Sequence, residues 1–213
     1  HALMLRRRAQ VLFVAVACAA GVVALTARHL IAADTLPAQL SDQEFWNLSS
    51  SFSETDGTFR SDNLLSNEIW MQRVIPELLS NIKEPSVYMG VGPEQNFTYI
   101  AGLEPKMAFI TDIRRGNLHL HLMYKAIFEM SKDRADFLGL LFSKARPEGV
   151  TAGSGVNALF AAYDAATRSD TLHAEQWGRI VGHLTKDPHT LPLDAADLEG
   201  IKWVYDQFFQ WGS

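Results

Sequence analysis

Val87-Tyr88-Met89-Gly90-Val91-Gly92-Pro93-Glu94-Gln95-Asn96 and, a little further on, Met107-Ala108-Phe109-Ile110-Thr111-Asp112 are the stretches that decide the reading of this chain. Each opens with an apolar run short enough for a buried strand. The first runs into a Gly-x-Gly turn and the second ends on a carboxylate. Between them, Phe97 to Leu103 suits one short helix, closed by Gly102 and by Glu104-Pro105. Strand, glycine turn, helix and strand make a compact βαβ unit, whose strands must be parallel and whose crossover must be right-handed. The expected class is α/β with a parallel βαβ core.

Helical signals lie on both sides of this unit. Ser41-Asp42-Gln43-Glu44 is a capping box, and the helix it opens carries Phe45, Trp46 and Leu48. Residues 53–63, rich in Ser, Asp, Thr and Gly, read as a loop. A helix is expected over 66–80, with Pro76 limiting or kinking it. Beyond Asp112, the stripe Leu120, Met123, Ile127 and Met130 predicts a long helix ending near Ser131. Ser131 or Asp133 caps a further helix through Phe142, and Pro147, Gly149, Gly153 and Gly155 mark a loop. Helices are expected over 156–168, 171–186 and 195–210, the last capped by Asp194. Trp177, Trp203, Tyr205, Phe208, Phe209 and Trp211 give this end an aromatic surface for core packing or docking. Two strands do not make an independent parallel sheet, since such sheets are covered on both faces. The expected domain, 41–213 with 156–213 helical, is therefore read as an incomplete one.

The chemistry concentrates at the glycine turn. Gly90 and Gly92 let the backbone turn sharply and let a ligand approach closely, and the helix that follows offers free N–H groups. Asp112, about 20 residues beyond Gly92, stands where a carboxylate takes a ribose diol. Gln95 replaces the third glycine of a dinucleotide fingerprint, and Glu94 puts a negative charge where pyrophosphate would sit, so a dinucleotide is disfavoured. The candidate ligand-binding residues are Gly90, Gly92, Glu94, Gln95, Asn96, Asp112 and Arg114, with Asp62, Asn63, Asn67 and Glu68 at the mouth. The alternative reading makes these a glycine turn without a cofactor, helix caps and solvated charges. No metal site is expected. His119 and His121 are two apart on a helix and cannot chelate one ion, while His173, His183 and His189 have no Cys or carboxylate at zinc-site spacing. Ser154 lacks the surroundings of a nucleophile elbow.

Phe59 to Glu68, Tyr88 to Ile100 and Phe109 to Asn117 together resemble an uncharacterised bacterial family with a Rossmann-like, methyltransferase-like fold, over about Leu40 to the end. The resemblance implies a Rossmann-like sheet with further strands, including one rich in Gly and Asp, and makes S-adenosylmethionine a possible cofactor. It brings no activity with it. Tyr88 stands where the acidic residue of the S-adenosylmethionine fingerprint is expected.

The chain has 213 residues, of which 47% are hydrophobic and 20% charged, which excludes disorder. A net charge of -5 without a basic run beyond the N-terminus excludes nucleic acid as a default partner, and the single Cys18 excludes a disulfide framework. Arg6, Arg7 and Arg8 precede the apolar run Val11 to Ala27, which suits a signal peptide or a retained anchor. Residues 1–33 are read as that segment and 34–40 as a linker. The charge bias keeps the N-terminus inside and sends the domain outside the cytoplasm, to a membrane-anchored or periplasmic location. Two functions follow: an exported protein holding a small ligand at the Gly90–Gln95 turn, or an S-adenosylmethionine-dependent methyltransferase-like enzyme.

Overall fold

The structure is a computed structural model, and it describes residues 36–82 and 87–212. The chain divides into two compact units, residues 1–38 and 39–213. Of the first, only 36–38 are described, so the apolar run Val11 to Ala27 lies outside the described residues. No helix among the described residues is long and apolar enough to cross a membrane.

The second unit starts with α1, Asp42–Phe52, opened by the Ser41–Glu44 capping box. A loop leads to a short 3₁₀ turn, Met71–Val74, and to α2, Ile75–Asn81. The helix expected over 66–80 is thus shorter: Pro76 sits in its first turn, where the missing N–H costs nothing, so the proline starts the helix. Then come β1 (Val87–Val91), α3 (Gln95–Leu103) and β2 (Met107–Thr111). The strands pair in parallel, with Val87 opposite Met107 and Val91 opposite Thr111. Five helices complete the unit: α4 (Arg115–Met130), α5 (Arg134–Phe142), α6 (Val156–Ala165), α7 (Asp170–Thr185) and α8 (Ala195–Trp211). Asp133 caps α5 by accepting from the backbone N–H groups of Ala135 and Asp136, and Asp194 caps α8 in a second capping box.

The core is helical. α4 packs along α8 and against α5 and α7. Its Leu120, Met123 and Ile127 are fully buried, as are Ile180 and Leu184 of α7 and Ile201, Val204 and Tyr205 of α8. Each such aliphatic side chain contributes about 1.5–3 kcal/mol through burial. No residue of either strand is buried; β1 alternates between exposed and half-buried positions. The α/β, Rossmann-like expectation is therefore corrected: the described residues are 57% helical, with eight α-helices and only two strands, and no Rossmann-like core forms. The physical reason is that a short apolar run shows that a strand is possible, not that it is buried. Here the long amphipathic helices hold the apolar mass, and the ribbon lies beside them. The βαβ unit is fastened to the core through Phe97 of α3, whose ring meets Tyr124 and Phe128 of α4 edge-on at 5.5 and 5.3 Å.

Candidate functional site

Gly92 turns the chain out of β1 with φ +85°, a conformation that glycine adopts without strain. Its N–H donates to Thr111 O at 3.0 Å and closes the turn onto β2. Gly90 makes room for a side chain: a Cβ there would fall 1.9 Å from Asn96 Oδ1. Asn96, 1% exposed, donates its amide to the carbonyls of Val91, Gly92 and Pro93 at 3.2, 3.1 and 2.7 Å. It accepts from the Tyr88 hydroxyl at 2.8 Å. Asn96 thus holds the turn from inside.

His121 of α4 donates Nε2–H to Gly92 O at 3.0 Å, and burial lowers its pKa, which favours the neutral ring. His119, on the other side of the helix, instead bonds Asp197 of α8 at 3.0 Å, a carboxylate also held by Arg115. The two histidines therefore serve different partners.

The loop before α2 is tied to the same corner. Glu94 accepts from the Ser66 N–H with both oxygens, at 2.9 and 3.1 Å. Arg114 binds Asp112 through Nε and Nη2 at 3.2 and 3.1 Å and also reaches the carbonyls of Ser61 and Asn63. Burial works to raise the Asp112 carboxyl, but the Arg114 bonds outweigh it and hold it below the usual range. Asp56 accepts from the Arg115 N–H, and Gly57 donates to Ile113 O, both on the chain just after Asp112.

The structure thus brings Gly90, Gly92, Glu94, Gln95, Asn96, Asp112 and Arg114 to one corner, with Asn63 joined through its carbonyl. Asp62, Asn67 and Glu68 are exposed on the loop. Most of the polar groups expected to face a ligand are spent on one another. Asp112 in particular has both oxygens on Arg114, so a ribose diol there would have to displace the guanidinium. Two acceptors are different. Gln95 Oε1 and Asn117 Oδ1 are buried and have no hydrogen-bond partner among the described residues. Gln95 is anchored by its amide to Val91 O at 3.0 Å. Asn117, 4% exposed, lies one helical turn before His121, on the same face of α4. Gln95 is part of the Gly92 corner, Asn117 lies on the helix face that carries His121 to it, and nothing in the glycine-turn motif singles out Asn117.

Two other constellations were invisible to local sequence reading. Ser143 Oγ lies 2.9 Å from His173 Nδ1, and His173 Nε2 lies 2.8 Å from Asp206 Oδ1, the residue types of a hydrolytic triad. Ser143, however, is 0% exposed and also bonded to the Tyr205 hydroxyl. Burial pushes that phenol up to about 12, so it stays protonated. An open depression of about 630 Å³ is lined by Arg168, His173, Asp206 and Phe209 but does not reach Ser143. A nucleophile that no substrate can touch does not attack, and the series is a structural link between the end of α5, α7 and α8.

In the second constellation His183 and His189, which have no carboxylate at zinc-site spacing in the sequence, meet one across the fold. Both are half-buried, and each places Nε2 2.7 Å from Glu129 Oε2. Burial would raise the Glu129 carboxyl, but bonds from Lys125, His183 and His189 hold it down to about 2.

Residues 64–153 match a family described as a domain of unknown function, DUF7790. No curated protein and no solved structure matches the chain. The matched stretch runs from Leu64 to Gly153, so it contains the Gly92 corner and α4, and stops before α6, α7 and α8.

Proposed function

We propose that this chain binds a small polar ligand at the Gly92 corner, and that the ligand presents N–H or O–H donors. The observation that carries the reading is the pair of buried oxygens, Gln95 Oε1 and Asn117 Oδ1, which have no hydrogen-bond partner among the described residues. A buried acceptor without a partner costs about 1–3 kcal/mol, and a donor-bearing ligand recovers it. The carboxylate of Glu94 makes the surroundings better suited to a neutral or cationic ligand than to phosphate. The fixed turn supports this reading, because Asn96 and His121 hold it in one conformation before any ligand arrives. A methyltransferase-like use of the corner draws less support, since Asp112 is committed to Arg114. The proposal keeps the domain outside the cytoplasm. That part rests on Arg6 to Arg8 ahead of Val11 to Ala27 and is tested by protease digestion of spheroplasts, where an intact domain would contradict it.

The binding reading is tested with adenosine, which carries amino and hydroxyl donors, and with glucose, which carries hydroxyls alone. Inorganic pyrophosphate is the negative probe. Saturable shifts of the Gln95 and Asn117 side-chain amide resonances with at least one donor probe, lost in Asn117→Leu, are expected. Absence of any shift with both donor probes, or a response to pyrophosphate alone, defeats the proposal.

A further inference from the structure

Glu129 stands on the last turn of α4, His183 on the last turn of α7 and His189 in the connection from α7 to α8. One ligand atom from each of Glu129, His183 and His189 lies within 4.8 Å of the other two. The imidazole rings meet edge-on, with centroids 5.5 Å apart, and both Nε2 atoms lie 2.7 Å from the same carboxylate oxygen. Asp42, the first residue of α1, takes His189 Nδ1 at 2.7 Å and the Thr190 N–H at 2.6 Å.

His189 therefore lies between two carboxylate oxygens, one on each ring nitrogen. An imidazole that carries one proton donates to only one of them, and with that proton on Nδ1, toward Asp42, Nε2 is the atom that can coordinate. A divalent cation at the focus resolves this arrangement with a neutral ring: Nε2 coordinates, Nδ1–H stays on Asp42, and Glu129 supplies a negative oxygen. A carboxylate behind a histidine ligand fixes its tautomer and raises its basicity in the same way in metal centres. The geometry points to a zinc-type site formed by Glu129, His183 and His189, with Asp42 as the positioning residue.

The donor set selects the ion. Two imidazole nitrogens and one carboxylate suit a borderline cation, Zn²⁺ first, and disfavour Ca²⁺ and Mg²⁺, which take oxygen ligands. Three protein ligands leave a fourth position, and the Glu129 side chain, 38% exposed, leaves that position within reach of solvent. The site joins α4, α7 and, through Asp42, α1. Zinc bound there adds to stability with the logarithm of the free zinc concentration above its Kd. The inference is independent of the ligand reading above, which concerns the other end of α4.

The test uses the full 213-residue chain in mild detergent, stripped with chelator and titrated with ZnCl₂. Calorimetry is expected to show one zinc per chain, with a raised Tm and no response to CaCl₂ or MgCl₂. X-ray absorption at the zinc edge should report two imidazole nitrogens with oxygen ligands. Asp42→Asn should weaken zinc binding by about 10–100-fold. His183→Gln combined with His189→Gln should abolish it while the circular dichroism of the apo chain is unchanged. Should that pair fail to fold, the zinc-edge spectrum of the unmutated chain decides. The inference is overturned if zinc does not bind, if the double variant keeps full stoichiometry, or if the spectrum lacks two imidazoles.

Discussion

The corner made by the described residues of 53–114 and the helical body made by residues 115–211 are both rich in apolar side chains and folded to different ends. In the body, apolar side chains interlock: Leu120, Met123 and Ile127 of α4 meet their counterparts on α7 and α8 with no exposed surface. In the corner, Phe59, Leu65, Ile69, Met89 and Val91 are all exposed, Met89 at 74%. Apart from the Phe97 ring that fastens it to α4, what holds the corner is polar: Asn96 on three carbonyls, Glu94 on Ser66, and Arg114 on Asp112 and the loop carbonyls. The difference teaches that the segment with the most recognisable motif contributes least to the core. Stability and recognition are carried by separate parts of one unit, and separate substitutions should be able to reach each.

The sharpest contrast is between buried and exposed methyl groups. Ile127→Ala is expected to cost about 2–5 kcal/mol in denaturant unfolding. Val91→Ala, at a site 66% exposed, should stay within about 0.5 kcal/mol. Equal costs would break the comparison.

Next in size is the link between the first turns of α4 and α8. Asp197, buried to 1%, takes bonds from His119 and Arg115. Burial works to raise its carboxyl, and these bonds prevail and hold it below its ordinary value of 3.8. A carboxyl lowered on folding stabilises above its unfolded pKa and loses that contribution as the pH falls through the folded value. The pair's contribution should be complete above about pH 4 and fade below it. Asp197→Asn should cost about 1–3 kcal/mol at pH 7 and flatten the acid limb of the stability curve, and an unchanged acid limb would remove the pair from the account.

Within the corner, Gly90→Ala drives a Cβ against Asn96 and Tyr88. The expected cost is about 1–3 kcal/mol, and it should appear as lost amide protection in β1 while α4 is unaffected. Glu94→Gln should do least, under about 1 kcal/mol, because a neutral amide oxygen still accepts from the Ser66 N–H. It should release the loop locally, seen as faster exchange at Ser66.

Local rules exposed much of this in the sequence. The capping residues Ser41, Asp133 and Asp194, the stripe of α4 and the two strand runs are all short-range features, and each corresponds to an element in the structure. Burial of the strands was not legible, because a run such as Met107–Thr111 reads the same beside a core as inside one. Gln95 could be named from the turn motif, whereas Asn117 lies in a helix whose periodicity says only which face is apolar. Glu129, His183 and His189 come together across 54 and 60 positions, and Ser143 meets Asp206 through His173. Convergence of that kind is decided by how helices cross, and no spacing rule within one helix carries it.

The helical body is then the folding core, and the β1–α3–β2 corner a fastened appendage with its own lower stability. Native-state amide exchange with mass-spectrometric readout tests it most directly. The amides of Leu120 to Ile127 in α4 and of Ile201 to Phe208 in α8 should exchange only through global unfolding, while those of Val87 to Val91 exchange through a smaller opening that barely responds to denaturant. Strand amides as slow as those of α4, with the same denaturant dependence, would contradict the account.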